Sequence, residues 1–166
     1  MASTAAVRRL IISRFGGLYN DLFGRRLHLG AGAVIFDQAG RVLLVRHSYG
    51  KRNWDLPGGG RHAGESMEQA LRRELHEEIG VEIASLELRG VYFEPEMDQH
   101  HFAFLCRLAE EPEPKPGSVE ILECGYWPVD ALPRPMTDFT VRRIADAQGS
   151  TRPITITVLG PRRWLG

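Results

Sequence analysis

The stretch SMEQALRRELHEEIG, residues 66–80, constrains the fold more than any other part of this chain. Ser66 suits an N-cap, and Gln69, three residues on, suits the reciprocal bond of a capping box. Leu71, Leu75 and Ile79 recur at spacing four and draw one apolar line along a helix. Gly80 follows as the residue beyond the last turn, where a left-handed backbone is wanted. A helix with that line must bury it against another layer, so the remaining segments have to supply a sheet or a second helix.

The same helix carries Glu74, Glu77 and Glu78 within about one turn, on an arc bordering the apolar line. Like charges so spaced cost a few tenths of a kcal/mol per pair, and the helix dipole disfavours negative charge near the C-terminus. A solvated acidic face is the plain reading of such a group. A bound divalent cation would reverse the sign of the repulsion, because carboxylate oxygens are the hard ligands magnesium prefers. Two neighbours favour the second reading. The arc lies at the edge of the buried face, and the glycines at 58, 59 and 60 permit close backbone approach to a ligand. The glycines do not form a P-loop, since no GK[ST] follows.

Around this helix the chain reads as strands. LHLGAGAVIFD and RVLLVRHS are joined by a short turn over residues 37–40, which predicts a hairpin. YGKRNWDLPGGGRHAGE is expected to be an irregular loop. Further strands are predicted at 86–93, 101–108 and 119–127, a helix over 137–147, and an edge strand in TRPITITVLG. EEPEPKPGS, with three prolines and many charges, reads as a solvated loop. The pattern is that of one α/β domain over 1–166, a mixed sheet covered on both faces.

Lys plus Arg (21) balance Asp plus Glu (21), so no net field draws the chain to nucleic acid or to an acidic membrane. No basic stripe interleaved with aromatics marks nucleic acid as the main partner. No run approaches the roughly 18 apolar residues of a membrane span. Cys106 and Cys124 read as free thiols of a reducing compartment, which places the protein in the cytoplasm. The N-terminal residues 5–23 read as a helical arm, with Val7, Leu10, Ile11, Phe15 and Leu18 at helical spacing. The arm suits internal packing or a homodimer contact.

Taken with its flanks, the glutamate helix resembles a known signature. Gly59, five residues, Glu65, seven residues, Arg73-Glu74-Leu75, one residue, Glu77-Glu78, one residue, Gly80-Val81: every position of the Nudix box is filled. The resemblance implies a Nudix hydrolase with an α/β/α sandwich and a mixed β-sheet. It implies metal-dependent hydrolysis of a pyrophosphate in a nucleoside diphosphate linked to another moiety. A nucleotide sugar, an ADP-ribose-like compound or a nucleoside triphosphate would be the small-molecule substrate. The alternative from another class is a catalytically silent Nudix-like domain that binds a nucleotide and regulates.

Carried over by position, Glu74, Glu77 and Glu78 are side-chain ligands for Mg2+, with Mn2+ a substitute, and Gly59 offers a carbonyl. Glu65 and Arg73 form the internal ion pair that orients loop against helix. Catalytic roles fall to Glu77, Glu78 and a later acid. Glu120 is the better candidate for that acid and Glu123 the fallback, because the stretch through Tyr126-Trp127-Pro128 resembles the segment that follows it. Outside the box, Arg46, His47, Lys51 and Arg52 could approach phosphates, and Tyr49, Trp54, Tyr92 and Phe93 could stack on a base. From these, Arg46, Lys51, Arg52, Trp54 and Tyr92 form the expected substrate-binding set.

Overall fold

The computed structural model describes residues 28–110, 113–148 and 153–166. The expected N-terminal arm lies outside the described residues. Among the described residues ten strands and two helices occur in order: β1 His28–Ile35, β2 Val42–His47, β3 Trp54–Asp55, β4 Gly58–Gly60, α1 Met67–Ile79, β5 Ile83–Glu94, β6 Gln99–Leu108, β7 Ile121–Trp127, β8 Met136–Thr137, α2 Asp138–Ala147, β9 Thr155–Val158 and β10 Trp164–Leu165.

The strands form two five-stranded mixed sheets. The first has the order β4-β1-β6-β5-β9, with β1–β6 and β5–β9 parallel and the other pairs antiparallel. The second runs β10-β8-β3-β2-β7, with only β3–β8 parallel. Two sequence expectations need correcting here. β1 and β2 do not form a hairpin: a single bridge, Phe36 to Val42, joins them before they part into different sheets. Residues 49–65 are not wholly irregular, because Trp54–Asp55 and the three glycines are short strands. Both are too short to show any alternation in sequence, which is why composition hid them.

The two helices cover opposite faces. Leu71, Leu75 and Ile79 of α1 are buried against Ala31, Ala33 and Ile35 of β1, Phe104 and Cys106 of β6, and Leu43 and Val45 of β2. Ile144 and Ala147 of α2 pack with Val34, Val42, Leu44, Trp54 and Leu56. Adjacent residues of β1 and β2 thus enter different cores, as strands buried on both sides require. This is an α/β/α sandwich.

The ends of α1 are capped as its sequence predicts. Ser66 Oγ accepts from the amide of Gln69 at 3.1 Å, and Gln69 Oε1 accepts from the amide of Ser66 at 2.7 Å. Gly80 closes the helix at φ 68°, its amide donating to His76 and Leu75 carbonyls. Loss of an N-cap of this kind typically costs about 1 kcal/mol.

Candidate active site

The site begins where β4 meets α1. Gly58, Gly59 and Gly60 pair with Gly32, Ala31 and Gly30 of β1, which holds the glycine segment in extended register beside the helix. Gly58 has φ 139°, and a Cβ there would lie 2.2 Å from the carbonyl oxygen of Ala31. A Cβ on Gly59 would stand 2.5 Å from the carboxyl carbon of Glu74. Glycine is needed at both positions for steric reasons, not for flexibility.

Arg73 ties this strand to the helix. Its Nε donates to Glu65 Oε1 at 2.8 Å and its Nη2 to Glu65 Oε2 at 3.1 Å and to the carbonyl of Gly60 at 3.0 Å. Its Nη1 reaches Glu74 Oε1 at 2.9 Å and Glu77 Oε2 at 3.2 Å. Glu65 also accepts from the amide of His62 at 2.8 Å. The Arg73 hydrogen bonds, and then the His62 amide, hold the Glu65 carboxyl down at about 2. All donor capacity of this guanidinium is spent inside the box.

The three glutamates of the arc do not share one environment. Glu77 is 55% exposed on its side chain. Glu74 leans over Gly59 and is mostly covered. Glu78 points inward, is only 6% exposed, and accepts from the Gly58 amide through Oε2 at 2.8 Å. Burial lifts its pKa to about 8; the Gly58 amide opposes the rise, and the negative fields of Glu74, Glu120 and Asp55 add to it. Glu120 therefore lies within electrostatic reach of the box although 42 residues separate it from Glu78. It is exposed, and its carbonyl accepts from the amide of Ser48 at 2.7 Å.

Two groups on the segment before the box belong to the same acidic neighbourhood. The Tyr49 hydroxyl is pushed upward by burial and by Glu120, Glu78, Asp55 and Glu74. The His47 imidazole is pushed downward by burial, against the raising influence of Asp55 and Glu120, and its Nδ1 is buried without a partner. The sequence reading missed Asp55. Its Oδ1 accepts from the amide of Leu56 at 2.8 Å, Thr140 Oγ1 at 2.8 Å and Arg143 Nη2 at 2.5 Å. The available signal was a lone acid between Trp54 and Leu56, three positions before the first glycine.

Several expected substrate-binding residues are placed elsewhere. Tyr92 is wholly buried, its hydroxyl donating to Asp146 Oδ2 at 2.8 Å and its ring set edge-on to Phe139. Trp54 is buried edge-on to Trp127, with ring centroids 5.2 Å apart. Neither can stack on a ligand; both are large rings that the core claimed first. Arg46 pairs with Glu123 at 2.7 Å, on the side of β2 facing Trp54, while His47 turns the other way toward Ile121. That pair also occupies the fallback acid. Lys51 Nζ sits 4.4 Å above the Trp164 ring, and Arg52 is exposed at a backbone φ of 49°.

Among the described residues, no group of three or more His, Cys, Asp or Glu is gathered into a metal site. The donor chemistry nonetheless fits a hard dication. Glu74, Glu78 and the Gly59 backbone present oxygen only, and the Glu78 carboxyl, lifted to about 8 first by burial and then by the neighbouring acids, would be favoured in its charged form by a cation.

The NUDIX domain sequence model matches residues 26–147, and the chain belongs to the Nudix hydrolase family. Members of that family generally require a divalent cation, Mg2+ or Mn2+. Among curated proteins, an RNA pyrophosphohydrolase of Teredinibacter turnerae is 43% identical over 60 residues, 36% of this chain and 35% of that protein. One from Photorhabdus laumondii is 50% identical over 50 residues, 30% of this chain and 28% of that protein. The chain spans about a third of the length of these curated relatives. Among solved structures, an ADP-ribose pyrophosphatase from Streptococcus suis aligns with TM-score 0.66 at 25% identity, over 78% of this chain and 98% of that one. A MutT NUDIX hydrolase from Burkholderia pseudomallei aligns with TM-score 0.62 at 26% identity, over 74% and 98%.

Proposed function

We propose that this chain is a pyrophosphohydrolase that uses a divalent cation to cleave the phosphoanhydride of a nucleoside diphosphate joined to a second group. The observation that carries the reading is Glu78: a buried carboxyl on the Gly58 amide, within the fields of Glu74, Glu120 and Asp55. A helix gains nothing from such a group, whereas a site for a cation and a phosphate chain needs one. The relatives' names, RNA pyrophosphohydrolase and ADP-ribose pyrophosphatase, share a pyrophosphate in a nucleotide setting and support this bond as the target.

Glu74, Glu77, Glu78 and the Gly59 carbonyl would hold the cation. When bound, Mg2+ supplies charge neutralisation on the phosphate oxygens and acidifies a coordinated water. The protein's own groups do the rest. Water attacks one phosphorus, the bridging P–O bond breaks, and its electron pair leaves on the other phosphate. The proton from water passes to a carboxylate, with Glu120 at the rim the acceptor and Glu78 the buried partner. Arg73 keeps the glycine strand and the helix in register and does not touch substrate. Tyr49, half-open beside the acids, forms the rim where the second group of the substrate enters.

Incubation with ADP-ribose, a nucleotide sugar, a nucleoside triphosphate and 5′-triphosphorylated RNA, each with Mg2+ and with EDTA, tests the reading. Release of a mononucleotide or of phosphate should occur with Mg2+ and vanish with chelator. Glu78→Gln and Glu120→Gln should each lower kcat at least tenfold. Binding of nucleotide without release of product, across the panel, would mean a silent regulatory domain instead.

A further inference from the structure

Strand register leads from the acids of the box across the second sheet to an aromatic side chain that the core does not use. Val45 pairs with Asp55 and Thr137 with Trp164, while Asp55 and Thr137 each follow a member of the parallel pair Trp54–Met136. Val45, Asp55, Thr137 and Trp164 therefore stand in one row, their side chains on the same face. The row starts inside the acidic neighbourhood, because Asp55 adds to the negative field on Glu78. Val45 and Thr137 are buried and Asp55 is mostly covered, whereas Trp164 is 43% exposed. Among the described residues, none of the core clusters includes Trp164.

Two hydrogen bonds hold the indole in position. The Asp138 amide donates to the Arg163 carbonyl and the Arg163 amide to Asp138 Oδ1, each at 3.0 Å, which ties β10 to the start of α2. The loop over residues 48–53 spans the same interval. At one end the Ser48 amide donates to the Glu120 carbonyl, and Tyr49 lies in the fields of Glu120, Glu78 and Asp55. At the other end Lys51 Nζ rests 4.4 Å from the centre of the Trp164 ring. From Asp55 to Trp164 is two strand spacings, about 10 Å at roughly 4.8 Å each. A nucleoside covers a similar interval between its phosphate and its base.

We propose, on the reading of the box as a nucleoside diphosphate site, that Trp164 is the shelf on which the substrate's nucleobase stacks. With the diphosphate beside Glu78 and Glu120, the base reaches Trp164, and the second group lies at Tyr49, the opposite end of the loop. The base takes the ring face that Lys51 covers, because an aromatic base holds an indole more strongly than an exposed ammonium does. Stacking engages the flat face of a base and not its edge, so the shelf admits any base.

Fluorescence of the full chain with Mg2+ tests the shelf apart from catalysis. The probe is α,β-methylene-ADP, whose bridging carbon cannot be hydrolysed, and Trp164 is the most exposed of the three indoles. The analogue should quench emission, inorganic pyrophosphate should not, and the quench should be lost in Trp164→Phe. For the nucleotide that the wild type cleaves, Trp164→Ala should raise KM about tenfold or more with kcat within about twofold, and Trp164→Phe should restore KM. An unchanged KM in Trp164→Ala, no quench by the analogue, or an equal quench by pyrophosphate would overturn the shelf and leave the box chemistry standing. A fall in kcat and Tm without a rise in KM would make Trp164 structural and overturn it too. A wild type that neither binds the analogue nor cleaves any nucleotide would overturn the reading of the box, and the shelf with it.

Discussion

The amide of Gly58 donates to Oε2 of Glu78 across 2.8 Å, joining the first residue of the glycine strand to the inner face of the helix. One end of this bond is a strand that tolerates no side chain, and the other is the most buried acid of the helix. This hydrogen bond sets the depth of the carboxyl, and with the Arg73 bond to the Gly60 carbonyl it ties the glycine strand to the helix.

The first consequence concerns pH in the absence of cation. Glu78 has a folded pKa of about 8 against the usual 4.5, so the folded chain binds more protons than the unfolded chain between those values. Stability from this group is full below about 4.5 and is lost as pH rises through about 8. In EDTA, wild-type Tm should fall across that window, and Glu78→Gln should flatten the fall and exceed wild type at pH 8.5. Thermal melts at four pH values would decide it. A Tm rising through the window in wild type would mean the carboxyl is not buried.

Glu65 gives the opposite sign. Arg73 holds its carboxyl at about 2, so the stabilisation is present above the usual 4.5 and is lost as pH falls toward 2. Both side chains of this pair lie at the surface, each 21% exposed, where solvent screens the attraction, and its worth lies in geometry more than in energy. Glu65→Gln should therefore cost little Tm at neutral pH but loosen the glycine strand. Amide exchange at Gly59 and Gly60 should speed up more than tenfold, while α1 amides keep their protection.

The contrast between these residues and the misplaced ones shows what a sequence can and cannot carry. The helix, its two caps, its buried line and the proximity of Glu65 to Arg73 are local, within eight residues, and spacing alone expresses them. Glu120 was reachable only through resemblance, because its approach to Glu78 depends on how two sheets meet. Tyr92 and Trp54 were misread for a different reason. A large ring with a polar handle has the same one-letter signature on a ligand shelf and in a core. Only the partners, Asp146 for one and Trp127 for the other, separate the two cases. The β1–β2 hairpin failed because a four-residue turn between apolar runs looks alike whether the strands pair throughout or diverge after one bridge.

Tyr92 supplies a test of that distinction. Tyr92→Phe removes the donor to Asp146, a partly buried acid that also meets Arg142 at 3.6 Å. The loss should be about 1.5–3 kcal/mol of stability, the usual range for one hydrogen bond to a charged group. KM for any substrate found should stay within twofold of wild type. A tenfold rise in KM with unchanged Tm would restore Tyr92 to the substrate site.

Gly59 separates the chemistry from the fold most sharply. A methyl group there would meet the Glu74 carboxyl at 2.5 Å, and Glu74 is itself held by Arg73 at 2.9 Å. The side chain can yield only by swinging off Arg73, at a cost of about 1–3 kcal/mol for forced repacking. We expect Gly59→Ala to fold, with Tm lowered by several degrees, because Ala is compatible with a strand and Gly59 shows no positive φ. Activity should fall more than a hundredfold, since the displaced carboxylate is one of the proposed cation ligands. Isothermal titration with Mg2+ should show weakened binding in the same variant. If Gly59→Ala kept wild-type affinity for Mg2+ and wild-type turnover, then the closeness of Gly59 to Glu74 would serve packing alone, and the cation would have to be held by other oxygens.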